Sequence, residues 1–215
     1  TFENYVEQFS IFTDSLINGG IMVYNSEDEI VNKVVESSEN PIKKYPYTTP
    51  NYKIVNGTTF IDTAEGELPL AIFGKHNLQN MAGAKWICQH MGVDEADFYE
   101  AILSFKGASK RLEKIAENNS TVVFKDFAHS PSKVEATTNA VKDQYRNRIL
   151  LACLELHTYS SLNADFLKEY KGALNSADKA VVFYSPHALE IKRLEKISEQ
   201  QIKEAFERED LIIYT

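Results

Sequence analysis

The sequence has few cysteines, no long apolar segment and no excess of basic residues. Its two cysteines, Cys88 and Cys153, lie among apolar neighbours, which predicts reduced core thiols, and Cys88 and the nearby His90 lack metal-ligand spacing. No segment approaches the ~20 apolar residues of a membrane-spanning helix. The net charge of −8 disfavours a nucleic-acid partner, whose phosphates would need a basic surface. We therefore expect a cytoplasmic protein that binds neither nucleic acid nor a membrane and has no metal site of its own.

Glycine-rich phosphate loops are also missing. Neither G-x-x-x-x-G-K-[ST] nor the dinucleotide pattern G-x-G-x-x-G occurs. The chain therefore cannot supply such a loop to a nucleoside triphosphate. It also begins at Thr1 without a methionine and stops within the apolar run 211–214, so we expect it to be part of a longer protein.

The first half of the sequence combines helical and hairpin patterns. Apolar residues recur at helical spacing from Phe2 to Leu16, and a strand is predicted at residues 21–24. Asn56-Gly57 between two β-branched segments predicts a tight hairpin. Residues 36–50 contain three prolines, which predicts an irregular loop.

After Gly107 the pattern changes to a regular alternation of strands and helices. Strands are predicted at residues 112–116, 121–125, 148–156, 180–184 and 211–214, with helices opening at about 131, 164 and 198. Such alternation implies crossover connections and a mainly parallel, doubly wound sheet. We therefore predict an α/β chain of two domains, residues 1–106 and 107–215, of which the second is Rossmann-like.

Residues 124–131 read F-K-D-F-A-H-S-P and lie between a predicted strand and a predicted helix. Ser130 is a typical N-cap, and the proline after it suits the first helical position. Asp126 and His129 then lie on a loop at the carboxyl end of a strand, where α/β proteins bind nucleotides. The alternative is that Asp126 and Ser130 only cap the helix.

Residues 74–80, G-K-H-N-L-Q-N, lie at another strand-to-helix junction. Asn77 and Asn80 are three positions apart, so they lie near one another on the first helical turn. Their carboxamides could pair with the edge of a base, or they could simply cap the helix.

Two further segments carry polar side chains near predicted strand ends. Residues 106–112 contain three cations around the domain boundary, and the guanidinium of Arg111 suits phosphate oxygens. Residues 155–163, which include His157, follow an apolar strand and lie at the same edge as Asp126 and His129. The alternatives are a solvated linker for the first segment and hydroxyls that satisfy loop backbone groups for the second.

Taken in order, these motifs resemble those of the Mur ligase family of ATP-dependent peptide ligases. Residues 74–80 resemble the family's G-x-H-N-x-x-N, residues 110–113 its R-R-[FL]-E, and residues 126–131 its D-[YF]-A-H-x-P. The resemblance covers nearly the whole chain. It implies that residues 1–106 are the latter part of a central ATP-binding domain and that residues 107–215 are the C-terminal ligase domain, whose end could be truncated.

The resemblance also implies roles for individual residues. His76, Asn77 and Asn80 would face adenine, while Arg111 and Asp126 would contact the phosphates or ribose of ATP across a cleft. The side chains of His129, Ser130 and His157 would lie towards the acceptor. No catalytic residue is expected in the chain, because the phosphate loop, the magnesium ligands and the domain for uridine diphosphate would lie upstream of Thr1.

The implied reaction is an ADP-forming amide ligation to UDP-N-acetylmuramate through an acyl phosphate, with ATP and magnesium as cofactors. The segment 155–162 lacks the Q-P-H pattern usual in L-alanine-adding members, and Ser130 replaces the commoner second histidine. Residues 110–113 and the tail of the chain resemble members that add the tripeptide L-alanyl-γ-D-glutamyl-meso-diaminopimelate in peptidoglycan recycling more than those that add L-alanine, so the tripeptide is the expected acceptor. L-alanine, a folylpolyglutamate synthetase-like activity and a non-catalytic nucleotide-binding domain remain alternatives, and the isolated chain is expected to be inactive.

Overall fold

A computed structural model describes residues 1–215 as a mixed α/β structure. Its contacts divide the chain into two compact units, Thr1–Phe105 and Lys106–Thr215. None of the helices combines the length and the apolar character needed to cross a membrane.

The first unit contains a parallel strand pair, an antiparallel sheet and four helices. The helices are α1 (Phe2–Asp14), α2 (Glu29–Ser37), α3 (Lys75–His90) and α4 (Glu95–Ser104). The strands are β1 (Ile21–Asn25), β2 (Lys43–Tyr47), β3 (Tyr52–Val55), β4 (Thr58–Thr63) and β5 (Gly66–Leu70). Strands β1 and β2 pair in parallel, and β3, β4 and β5 form an antiparallel sheet in chain order.

Local sequence signals explain several boundaries in this unit. Asp28 caps α2 by accepting hydrogen bonds from the N–H groups of Ile30 and Val31. The predicted hairpin at Asn56-Gly57 is confirmed: both residues have positive φ (51° and 77°), and the turn joins β3 to β4.

The predicted irregular loop at residues 36–50 is wrong, because β2 lies within it and pairs with β1. The N–H of Lys43 donates to the carbonyl of Gly20 on the β1 side, at 2.8 Å. Since successive N–H groups of a strand point to opposite sides, the position of Pro46 falls on the side away from β1. Because the N–H that Pro46 lacks would point to that side, its presence removes no hydrogen bond between β2 and β1.

The second unit is built around a parallel sheet. Its strands are β6 (Glu113–Glu117), β7 (Val122–Lys125), β8 (Leu151–Leu156), β9 (Lys179–Tyr184) and β10 (Ile212–Tyr214). Its helices are α5 (Pro131–Gln144), α6 (Ala164–Leu167), α7 (Pro186–Lys192) and α8 (Glu199–Phe206), with a short 3₁₀ turn at Lys168–Tyr170. The parallel sheet has the order β10-β9-β8, while β6 and β7 form a separate antiparallel ribbon.

The core of the second unit lies between the parallel sheet and its helices. Tyr170 and Phe206 stack at 5.1 Å between ring centroids and are almost fully buried, with Leu156, Val182 and Ile202 in the same cluster. Each such side chain contributes about 1.5–3 kcal/mol by leaving water.

Two details of the second unit differ from expectation. The helix predicted from about residue 164 is short, because the chain passes through the 3₁₀ turn and then Gly172, whose φ of 74° does not continue a helix. Cys153 was predicted to be a core thiol, but it is exposed on β8, whereas Cys88 is half-buried. The reason is that side chains alternate along a strand: Cys153 lies on the face of β8 opposite the buried Leu154 and Leu156.

Candidate functional site

The loop at residues 110–113 is the first element of the site, and hydrogen bonds to its backbone fix its shape. The carboxylate of Glu113 accepts from the N–H of Lys110 at 2.8 Å, and the carbonyl of Lys110 accepts from the N–H of Phe127 at 2.9 Å. Lys110 and Leu112 both adopt positive φ, at 58° and 46°, which costs free energy for residues with a Cβ. The loop is therefore tightly bent and held from two sides.

Asp126 supplies the second restraint on this loop. Its Oδ2 accepts from the N–H of Leu112 at 2.7 Å, and its Oδ1 accepts from the N–H of Ala128 at 2.6 Å. The hydroxyl of Thr137 lies 3.5 Å from Oδ1. The alternative that Asp126 merely caps α5 is therefore wrong, because its carboxylate binds the two loops instead.

Arg111 is left exposed at the tip of this loop. The neighbouring Leu112 is buried, and the N–H of Arg111 donates to the carbonyl of Ala108 at 3.1 Å. The guanidinium is thus carried on a rigid backbone while its donors face solvent, which suits the recognition of phosphate or carboxylate oxygens.

A cavity of about 760 Å³ lies between β7, α5 and β8 within the second unit. Asp126 and Thr137 contribute polar atoms to its lining, and most of the remainder is apolar, including Val134 and Leu154. Its volume falls in the range of small-molecule pockets.

His129 and His157 come together beside Phe127, although the strands that precede them, β7 and β8, belong to separate sheets and not to one common edge as predicted. The two imidazole centroids are 6.1 Å apart, and Phe127 lies edge-on to His129 at 5.1 Å. Phe127 is also 6.1 Å from His157 and is half exposed. The sequence motifs indicate both histidines but not Phe127, although its position at the same strand end is a signal that could have identified it.

The backbone contacts of both imidazoles favour one tautomer of the neutral ring. Nδ1 of His129 lies 2.9 Å from the carbonyl oxygen of Phe127, and Nδ1 of His157 lies 3.4 Å from that of Glu155. Because a carbonyl oxygen can only accept, Nδ1 carries the proton in each neutral ring, and Nε2 keeps a lone pair. The pair therefore presents two potential acceptors for an N–H donor.

The buried Tyr170 donates a hydrogen bond to the carbonyl of His129 and so holds the loop that carries this histidine. Burial raises the pKa of Tyr170 to about 12, so the hydroxyl stays protonated and remains a donor. Ser130 occupies the N-cap position of α5 as predicted, but its side chain makes no capping bond. Its hydroxyl is consequently not committed to the helix.

The segment after β8 is a self-contained turn. Thr158 and Ser161 exchange hydrogen bonds, with the N–H of Thr158 donating to Ser161 Oγ at 3.0 Å and the N–H of Ser161 donating to Thr158 Oγ1 at 3.0 Å. Asn163 caps α6 through the N–H groups of Asp165 and Phe166. The hydroxyls thus satisfy the loop backbone, as the alternative predicted, and His157 is left as the exposed functional group.

In the first unit, His76, Asn77 and Asn80 lie on the first turns of α3. The amide of Asn77 donates to the carbonyl of Phe73 at 2.9 Å, which makes it part of the helix start. Helical geometry places His76 and Asn80 on one face, since they are four residues apart, and Asn80 is exposed.

A residue that sequence reasoning missed lies beside the same helix. Glu27 follows β1, and its carboxylate accepts hydrogen bonds from Thr49 and Gln79 and pairs with Lys75. Hydrogen bonds, first from Thr49, hold the pKa of Glu27 down at about 2. Its position at a strand's carboxyl end is the signal that could have identified it.

The sequence of the second unit is similar to a known domain family. Residues 110–214 match the Mur ligase, glutamate ligase domain. This segment belongs to the Mur ligase C-terminal domain family. The mixed α/β structure with its parallel sheet agrees with that fold.

Curated relatives extend the likeness into the first unit. A UDP-N-acetylmuramate–L-alanine ligase of Crocosphaera subtropica is 30% identical over 218 residues, which cover 96% of this chain and 41% of the relative. The enzyme of the same name from Carboxydothermus hydrogenoformans is 28% identical over 193 residues, covering 85% of this chain and 41% of the relative. The chain therefore spans about two fifths of the length of these relatives.

Solved structures share the fold at low identity. A UDP-N-acetylmuramate–alanine ligase from Thermotoga maritima has a TM-score of 0.67 at 17% identity, covering 100% of this chain and 46% of that one. A murein peptide ligase from Psychrobacter arcticus has a TM-score of 0.62 at 17% identity, covering 99% of this chain and 47% of that one. A Mycobacterium tuberculosis folylpolyglutamate synthase complexed with ADP has a TM-score of 0.63 at 16% identity, covering 90% and 44%.

Magnesium is the metal that the family resemblance implies. No group of three or more histidine, cysteine, aspartate or glutamate side chains is placed to hold a metal ion.

Proposed function

We propose that the chain is part of an ATP-dependent, ADP-forming ligase that joins UDP-N-acetylmuramate to the amino group of an L-alanyl acceptor. The observation that carries this proposal is the similarity of 85–96% of the chain to UDP-N-acetylmuramate–L-alanine ligases. The three motifs of the sequence and the Mur ligase fold of the second unit support it.

The residues proposed to contact the nucleotide lie in both units. Arg111 in the second unit offers exposed donors to phosphate oxygens, on a loop whose backbone Asp126 restrains. His76, Asn77 and Asn80 in the first unit lie where α3 begins. We propose that their imidazole and carboxamide groups face the adenine base.

The geometry modifies the proposed role of Asp126. Both of its carboxylate oxygens already accept backbone N–H bonds at 2.6 and 2.7 Å. A carboxylate oxygen has two lone pairs, so a ribose hydroxyl can still be accommodated. We propose that Asp126 chiefly holds the Arg111 loop in shape and contacts ribose with its remaining acceptor capacity.

The residues proposed to face the acceptor are His129, Ser130 and His157. Nε2 of each histidine can accept a hydrogen bond from an amino group, and the Ser130 hydroxyl is not used by α5. These contacts would orient the acceptor nitrogen and draw off its proton as the amide bond forms.

When bound, ATP supplies the phosphoryl group that activates the substrate carboxylate as an acyl phosphate. The chain's own contribution is positioning and charge neutralisation, which account for much of the catalysis in such reactions. Because it has no glycine-rich phosphate loop, we expect the isolated chain to be inactive.

L-alanine is the first candidate for the acceptor, since both curated relatives carry that name. The tripeptide L-alanyl-γ-D-glutamyl-meso-diaminopimelate is the second, and one observation favours it. The segment 155–162 lacks the arginine and the Q-P-H pattern usual in L-alanine-adding members and forms a compact Thr158–Ser161 turn. Both acceptors attack through the amino group of an L-alanine residue.

The test supplies the full-length protein with UDP-N-acetylmuramate, ATP and one acceptor at a time, and measures phosphate release. Release with L-alanine alone supports the first candidate, and release with the tripeptide alone supports the second. Release with neither contradicts the ligase function. In that case, loss of ATP binding in Arg111→Gln, with the exposed Arg146→Gln as matched control, would identify a non-catalytic nucleotide-binding domain.

A further inference from the structure

We propose that Glu27 is a positioning residue that fixes the first turns of α3 and, through them, the side chains of His76 and Asn80. This inference rests on the proposed nucleotide-binding role of α3. It assigns a function to a residue that lies outside the three sequence motifs.

Glu27 receives donors from two separate segments. From the loop after β2, Thr49 donates through its N–H at 3.1 Å and through its hydroxyl at 2.7 Å. From α3, Gln79 Nε2 donates at 2.8 Å and Lys75 Nζ forms an ion pair at 3.1 Å. A single carboxylate therefore ties together the ends of β1 and β2 and the start of α3.

The two helix-side contacts are spaced to restrain rotation. Lys75 and Gln79 are four residues apart, so they lie one above the other on the same face of α3. His76 and Asn80 follow each of them by one residue, which places this second pair about 100° further around the helix. Holding the first pair against Glu27 consequently fixes the direction in which the second pair points.

The Glu27 carboxylate is well suited to this task. Its side chain is 30% exposed, and the hydrogen bonds outweigh the small desolvation of the carboxylate. The low pKa keeps the group charged over the physiological range, and a negative charge near the N-terminus of a helix is stabilised by the helix dipole. The turn around Glu27 is itself ordered, because the Glu27 N–H donates to Asn25 Oδ1 at 3.0 Å.

The test is Glu27→Gln in the full-length protein, with Glu67→Gln as matched control. Glu67 forms an exposed ion pair with Lys53 in the same unit and touches no residue of α3 in that pair. We expect Glu27→Gln to raise the KM for ATP about tenfold, the factor that corresponds to losing one charge-assisted hydrogen bond, with kcat within about twofold. The control should leave both constants unchanged.

A second readout does not depend on catalysis. Hydrogen exchange should accelerate at the amides of the first α3 turns in Glu27→Gln, while the amides of β8 keep their rates. A second variant, Gln79→Leu, keeps Glu27 and should change both readouts in the same direction by a smaller factor. If Glu27→Gln does not fold, Gln79→Leu tests the inference in its place.

The outcomes separate this inference from the proposed function. If the wild-type protein neither binds nor hydrolyses ATP, the proposed function fails, and hydrogen exchange at α3 alone decides the positioning role. If folded variants show unchanged exchange at α3 and an unchanged KM for ATP, Glu27 does not position the helix and the inference is overturned.

Discussion

The carboxylate of Asp126 accepts a hydrogen bond at 2.7 Å from the backbone N–H of Leu112, a residue 14 positions earlier in the chain. This bond holds Leu112 in a left-handed conformation with φ of 46°. It joins two of the sequence motifs that resemble those of Mur ligases, so that the Arg111 loop depends on an acid in another segment.

Replacing Asp126 with asparagine should destabilise the second unit by about 1–3 kcal/mol, because an amide NH₂ would face one of the two backbone N–H donors. The measurement is the change in free energy of unfolding from urea titration followed by circular dichroism. The control is Asp143→Asn, which removes an exposed contact with Arg146 and should change stability by less than about 0.5 kcal/mol. Equal stability of both variants would contradict the structural role of Asp126.

Tyr170→Phe should keep the stacking on Phe206 but lose the hydrogen bond to the His129 carbonyl. Because that carbonyl is left without its partner, we expect a loss of about 1–2 kcal/mol in stability and a higher KM for the acceptor. The exposed Tyr159→Phe is the matched control, with no change expected. Thermal unfolding and acceptor titration measure the two effects, and a variant identical to wild type would show that the bond does not hold the loop.

Glu27 should make the stability of the first unit depend on pH. Its pKa is lowered from 4.5 to about 2 in the folded state, so it contributes stability above pH 4.5 that is lost as the pH falls towards 2. The stability difference between wild type and Glu27→Gln should therefore be largest near pH 7 and shrink below pH 4.5. Urea unfolding of both proteins between pH 3 and pH 7 measures it; a difference that stays constant with pH would argue against the charged network.

Arg193→Gly should stabilise the second unit. Arg193 follows α7 with φ of 55°, a conformation that costs a residue with a Cβ about 1 kcal/mol and glycine nothing. After the entropy that glycine gains in the unfolded chain, we expect a net gain of a few tenths of a kcal/mol. Arg193→Ala, which keeps the Cβ, should show no such gain in thermal unfolding, and a gain of equal size in both variants would point to the side chain instead.

Interactions between neighbouring residues account for several features of this protein. The hairpin at Asn56-Gly57, the capping box at Ser198 and Gln201, and the cap of α6 by Asn163 all depend on neighbouring residues alone. Such interactions span three or four positions, so the sequence contains both partners side by side.

Other features were not predictable in this way. Strand β2 forms within a proline-containing segment because β1 lies beside it, and Cys153 is exposed because it lies on the face of β8 opposite the core. The first outcome depends on which strands become neighbours and the second on which sheet face the core covers, and periodicity within one segment carries no information about either.

In the candidate site, too, some features follow from the local sequence and others depend on the tertiary fold. The sequence by itself determined that an acid, an arginine and two histidines stand near strand ends, since residue type and turn chemistry are local. Only the tertiary structure decided what each does there: Asp126 binds the backbone of the Arg111 loop, His129 meets His157, and Glu27 joins α3 to two strand ends. The physical reason is that hydrogen bonds and ring contacts act over a few ångströms, and the fold alone brings residues distant in the chain within that range.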